Sequence, residues 1–166
     1  TLLAAWPASA AFDNLMVSPR ARAMGDAGVA VADPSFAMAL NPAGLGRLER
    51  SGSVAVSFVQ PYGLDFHRLY YAGAAVRMPN DAGTLGVGFR QYGVEYENVD
   101  LQSEQTLSLG YGLALYEDVH SRISFGAGLN VFRLEFGETV GGLDPGDDTT
   151  LGFDVGLLAT VHDRTH

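Results

Sequence analysis

From Ser51 onward, bulky apolar residues alternate one for one with small or polar residues, the period of a β-strand whose two faces meet different surroundings. The pattern predicts strands over about Ser51–Gln60, Phe66–Met78, Thr84–Tyr92, Ser103–Tyr116, Arg122–Phe136 and Thr149–Val161. In the fourth run Leu107, Leu109, Tyr111, Leu113 and Leu115 oppose Thr106, Ser108, Gly110, Gly112 and Ala114. In the fifth, Ile123, Phe125, Ala127, Leu129 and Val131 oppose Ser124, Gly126, Gly128 and Asn130. The second run is less regular. Its preferred reading turns Tyr70, Val76 and Met78 outward and Leu69 and Tyr71 inward.

Residues before Arg50 have another texture. Asp13–Arg50 is rich in Ala, and Asp33-Pro34 can open a short helix over Phe36–Leu40, with Asp33 as cap and Pro34 in the first helical position. Asn41-Pro42 ends it, because Pro42 disfavours helix at the residue before it. Residues 11–50 are therefore predicted to form a compact, partly helical hatch or plug, and residues 51–166 the strands.

A soluble sandwich would bury the bulky face and show Lys, Glu and Thr outward, not repeated Gly. A transmembrane barrel accounts for both faces, with lipid outside and a lumen inside. The links point the same way. Pro79–Gly83 and Glu117–His120 are short, whereas Pro61–Asp65, Gly93–Gln102 and Gly137–Asp148 lie at the opposite end, the last two longer and acidic. Short turns at one end and long loops at the other characterise outer-membrane barrels, with the short turns in the periplasm. The predicted fold is thus an all-β, antiparallel transmembrane β-barrel with an N-terminal hatch.

Composition narrows the picture. Hydrophobic residues make up 47% and charged residues 17%, yet no apolar run is long enough for a membrane helix. The 21 glycines, well above an average share of about 7%, cluster inside the alternating runs. A net charge of −9 argues against nucleic acid, which needs clustered Lys and Arg. Without cysteine, disulfides and thiolate metal sites are excluded.

Thr1–Trp6 is apolar, Pro7 breaks it, and Ala8-Ser9-Ala10 has a small-x-small cleavage pattern, so residues 1–10 read as the remnant of a secretory signal. Six strands fall short of the about eight in the smallest outer-membrane barrels. His162–His166 is therefore expected to be a turn leading to further strands.

The stretch Ser18–Pro34, with "ARAMGDAGVAVADP", followed by Asn41-Pro42-Ala43-Gly44-Leu45, resembles the N-terminal signature of the FadL/TodX-like outer-membrane transport superfamily. Its wording is most similar to PorV/PorQ-like members, and the match spans roughly Ser18–Leu48. The resemblance implies a bacterial outer-membrane barrel of about fourteen strands, with a hatch in its periplasmic mouth. Asn41, Pro42, Ala43 and Gly44 match the hatch turn, and Arg20, Ala21, Gly25, Ala32 and Asp33 match the segment leading to it. FadL-like members pass hydrophobic molecules such as long-chain fatty acids. PorV-like members act as partners in type IX protein secretion. This chain departs from the pattern at Asp33-Pro34, where two acidic residues are usual, and at Ala39-Leu40, where an aromatic often precedes the Asn.

No enzymatic constellation accompanies these features, so an enzyme is not expected. Gly86-x-Gly88, Gly110-x-Gly112 and Gly126-x-Gly128 lack the third glycine and the helix of a dinucleotide motif. His67, His120, His162 and His166 lack metal-ligand spacing and read as solvated. Asp144-Pro145-Gly146-Asp147-Asp148 clusters carboxylates without a known calcium-loop spacing. No metal or cofactor is implied. Arg77, Arg90 and Asp154 are predicted on the lumen face, where a buried charge must be paired or wet. Pairing with hatch residues such as Asp26 or Asp33 is favoured for them over a carboxylate-binding role shared with Arg20 and Arg22. Tyr62, Tyr70, Tyr92, Tyr96 and Tyr116 fall near strand ends, as aromatic girdles do.

The expected function is passive passage of hydrophobic small molecules, gated by the hatch, with outer-membrane lipid as the main partner. A secretion-partner barrel is the second reading, and a soluble β-rich lipophile-binding protein the third.

Overall fold

The computed structural model describes residues 15–96, 99–118, 120–137 and 147–161. Over them the alternating runs become β1 (Gly52–Val59), β2 (His67–Arg77), β3 (Thr84–Tyr96), β4 (Val99–Glu117), β5 (Ser121–Phe136) and β6 (Asp147–Val161). All pair antiparallel, in chain order, as one sheet from β1 to β6. The first and last strands do not pair with each other, so the sheet is open. The remaining described residues form short helices and turns, so the described fold is all-β.

Side chains separate cleanly by face. On one face the bulky rows are bare: Val56 is 81% exposed and Leu151 77%, and Phe58, Leu85, Leu109, Leu129 and Phe153 are likewise exposed. On β2, Tyr70 and Val76 join this bare face while Leu69 and Tyr71 turn inward and are buried. A register shift near the end of β4 leaves Leu115 without an opposite residue, so Leu115 and Tyr116 both reach the bare face.

The N-terminal segment covers the other face. It holds α1 (Pro19–Ala23), 3-10 turns at Val29–Val31 and Pro34–Phe36, α2 (Ala37–Leu40) and a longer 3-10 stretch over Pro42–Arg47. The α1 turn is anchored by Ser18, whose Oγ accepts from the Ala21 N–H at 3.4 Å. Between them, the Pro34–Phe36 turn and the Pro42–Arg47 stretch touch all six strands. Laid flat, six strands would span about 24 Å at their usual spacing. So small a body reaches them all because the sheet curls around it.

Close approach depends on glycine. Gly86, Gly110 and Gly128 lie side by side across β3, β4 and β5, and Gly112, Gly126 and Gly156 across β4, β5 and β6. A Cβ on Gly112 would lie 2.5 Å from Leu45 Cβ, and one on Gly86 2.6 Å from a Leu45 methyl. On Gly126 it would overlap the Pro42 carbonyl, and on Gly156 the Asn41 amide. These rows are the seat of the cap. Around them, Ala37, Met38, Leu45, Leu48 and Ala75 form one buried apolar cluster. Val17, Leu69 and Tyr71 form another, with Phe36 and Tyr92 packed against it.

Several expectations need correction. Asp33 occupies the position before Pro34, but its carboxylate caps nothing; it pairs with Arg20 at 3.1 Å. The stretch Gly93–Gln102 is not a long loop. Pairing of β3 with β4 continues to Tyr96 opposite Val99, past a shift at Val94/Glu95, because alternation persists through Val94 and Leu101. The expected signal remnant 1–10, residues 11–14, residues 138–146 of the expected long loop with its Asp144–Gly146 cluster, and the turn from His162 lie outside the described residues.

Candidate functional site

Between cap and sheet lies a chamber of about 550 Å³, within the range of small-molecule sites. Its floor is Met38 to Pro42, supplied by α2 and the turn after it. The wall comes from inward rows of β2 to β6: Tyr71, Arg90, Thr106, Ser108, Asn130 and Asp154. It sits towards the β3–β4 and β5–β6 connections, away from the short links, since Pro42–Arg47 fills the other half of the trough.

Asn41 organises the floor. Its Oδ1 accepts from the Ala43 N–H at 3.0 Å, while Nδ2 donates to the Val29 and Leu157 carbonyls, each at 3.3 Å. One side chain thus ties the start of the 3-10 stretch to the earlier cap turn and to β6. Pro42, Ala43, Gly44 and Leu45 are all buried behind it. Gly44 is confined by Ala32, whose Cβ and carbonyl would each lie 2.8 Å from an added Cβ. Tyr71 fixes the other flank by donating its hydroxyl to the Ser35 carbonyl at 2.9 Å, with Phe36 stacked on its ring at 5.2 Å.

The wall is polar where the floor is apolar. Asn130, only 4% exposed, donates Nδ2 to Asp154 Oδ2 at 2.6 Å and so orients that carboxylate. Thr106 and Ser108 are buried in the strip between Arg90 and Asn130, and the Thr106 hydroxyl makes no hydrogen bond among the described residues. Low dielectric in such a recess strengthens any polar contact a ligand makes there.

Of the charges singled out from sequence, Arg90 and Asp154 both line this chamber. Arg77 does not. It lies at the short-link end, donating to the Leu48 carbonyl at 3.2 Å and pairing with Asp81 at 2.7 Å, because the β2–β3 turn folds that acid back. Arg77 pairs with Asp81 and not with a cap acid, Arg20 holds Asp33 on the cap's exposed side, and Asp154, itself an acid, takes Asn130 as its partner. Arg22 is exposed.

Arg122 went unnoticed in the sequence. It bridges Glu117 and Glu49 and joins the cap's exit to the β4–β5 turn. Met38, Asn130 and Thr106 were also missed as site residues; the inward phase of Asn130 and Thr106 was readable from the alternation, whereas Met38 lies on α2, outside it.

His67 is not simply solvated: its Nδ1 lies 2.5 Å from the Tyr92 hydroxyl, with the rings stacked. Tyr92 accordingly faces the cap and not a girdle, whereas Tyr62, Tyr70 and Tyr116 are exposed. Among the described residues no three His, Asp or Glu gather as metal ligands. No helix among them is long and apolar enough to cross a membrane, which says nothing of strands.

No family model, curated protein or solved structure matches the chain.

Proposed function

We propose that this sheet is part of the wall of an outer-membrane β-barrel that passes hydrophobic or amphipathic small molecules, with the cap as its hatch. The observation that carries the reading is the division of faces. Bulky rows on all six strands are bare, while the glycine-rich face seats a plug. In water those rows would be an adhesive surface far larger than the apolar patches monomers expose. In lipid they are the expected exterior.

The open sheet fits only as part of a longer wall. Unpaired edge groups of β1 and β6 would cost several kcal/mol each in hydrocarbon, so the reading requires further strands to pair with them. The motif resemblance of Ser18–Leu48 supports a FadL-type hatch, and the chamber above it supplies a holding volume. A soluble lipophile carrier would turn its bulky rows into the cavity. Here those rows point away from it.

The test uses the full-length protein. It is expected to require detergent, to migrate differently on gels when heated, and to restore uptake of long-chain fatty acid or small aromatics in a deletion strain. Ready solubility in plain buffer would sink the membrane reading. Unchanged uptake with co-purification of secreted proteins would replace transport by the PorV-like secretion role.

A further inference from the structure

The chamber carries opposite charges on two of its walls. Arg90 stands on β3 and Asp154 on β6, and both line the same cavity. The register sets their offset. Arg90 is level with Thr106, Phe132 and, on β6, Thr150, four residues before Asp154. At usual strand dimensions that is about 14 Å across three strand spacings and about 13 Å along the strands. The curl of the sheet and the inward reach of both side chains shorten the separation of the charges themselves.

Between them run Thr106, Ser108 and Asn130 on one side, and the apolar floor of Met38, Leu40 and Pro42 on the other. Asn130 holds Asp154 Oδ2, leaving Oδ1 available to a second donor. A guanidinium offers five N–H donors, so one intramolecular partner does not exhaust Arg90.

We infer that the chamber takes a bipolar amphiphile: an apolar body over Met38 and Leu40, an anionic or acceptor group at Arg90, and a cationic or hydroxyl donor group at Asp154. A plain hydrocarbon makes no polar contact with either wall and a simple fatty acid makes one at Arg90 alone, so neither draws on the Asp154 carboxylate. Selection therefore comes from the second polar group. This inference rests on the hatch-and-barrel reading above, because it requires the chamber to be enclosed.

The experiment compares dodecanoate with 12-aminododecanoate, by calorimetric titration into the full-length protein in lipid nanodiscs. The amino acid is expected to bind at least tenfold more tightly. Asp154→Asn should abolish that preference, and Arg90→Gln should weaken both probes. Equal binding of the two probes, persistence of the preference in Asp154→Asn, or no binding of either would overturn the inference. The barrel reading fails separately, through loss of detergent dependence and heat-modifiable migration, which each variant is checked for first.

Discussion

Asn41 and Leu157 are 116 positions apart, yet the amide of the first donates to the carbonyl of the second at 3.3 Å. That bond joins the floor of the chamber to the last described strand. The same amide nitrogen serves Val29, and its oxygen holds the Ala43 N–H. Removing the side chain leaves buried backbone groups unmet, at about 1–3 kcal/mol. Asn41→Ala is expected to destabilise the cap by that order and to speed amide exchange at Ala43 and Gly44 by at least tenfold. Unchanged exchange there would show that Asn41 does not hold the floor.

The glycine seat gives a contrast within one strand type. A methyl on Gly126 would overlap the Pro42 carbonyl and Ala43 nitrogen, both backbone, whereas one on Gly93 meets nothing within 4 Å. Overpacking of this kind costs about 1–3 kcal/mol. Gly126→Ala should therefore expose residues 15–50 to protease and lower the unfolding midpoint, while Gly93→Ala leaves both nearly unchanged. Equal behaviour of the two variants would contradict the seating described above.

The bare face responds differently in lipid and in water. Leu109 is 56% exposed on β4, and its neighbour Ser108 is buried on the cap side. An outward Arg near the middle of a membrane strand costs about 2–4 kcal/mol, whereas an exposed position in water tolerates it within about 0.5 kcal/mol. Leu109→Arg is expected to reduce folding of the full-length protein into vesicles by an order of magnitude or more. Wild-type folding yield, with improved solubility, would speak for an aqueous surface.

Two arginines test how burial changes the worth of an ion pair. Arg20 and Asp33 are 57% and 42% exposed, and such pairs contribute about 0–1 kcal/mol. Arg122 is 15% exposed and bridges Glu49 and Glu117. Arg20→Ala should shift the thermal midpoint little, and Arg122→Met should loosen the cap's exit, seen as faster cleavage near Glu49. A larger effect from Arg20→Ala would reverse that ranking.

The sheet was readable from sequence because alternation with a period of two is local. Leu107, Leu109 and Tyr111 declare their shared face without knowledge of any partner. Even the inward turn of Leu69 and Tyr71 followed from that rule. The continuation of β3 to Tyr96 was hidden by Gly93 and Glu95, which look like loop residues until cross-strand pairing fixes them. The use of Asp33 was hidden for a similar reason. Its local signal is a helix cap, but Arg20, thirteen residues earlier, competes for the carboxylate and wins.

The chamber was only half legible. Arg90 and Asp154 stood out as charges in strands, and their phase placed both inward. That Asn130 would orient Asp154 depends on a side-chain reach between β5 and β6 that no spacing along the chain reveals. The glycine pairs looked like generic small positions. Their purpose emerges only once Pro42 and Leu45 are laid against them.

The interlocking of Pro42 with Gly126 and of Asn41 with Gly156 bears on the order of assembly. A body keyed this tightly into the trough of the sheet seats most readily when the strands are laid down around it, as staves are raised around a form. Segments made first would then dictate the bend of those made later. Deleting residues 15–48 should accordingly yield mispaired strands rather than a correctly registered sheet with an empty trough, and pulse-labelled assembly assays distinguish those two products.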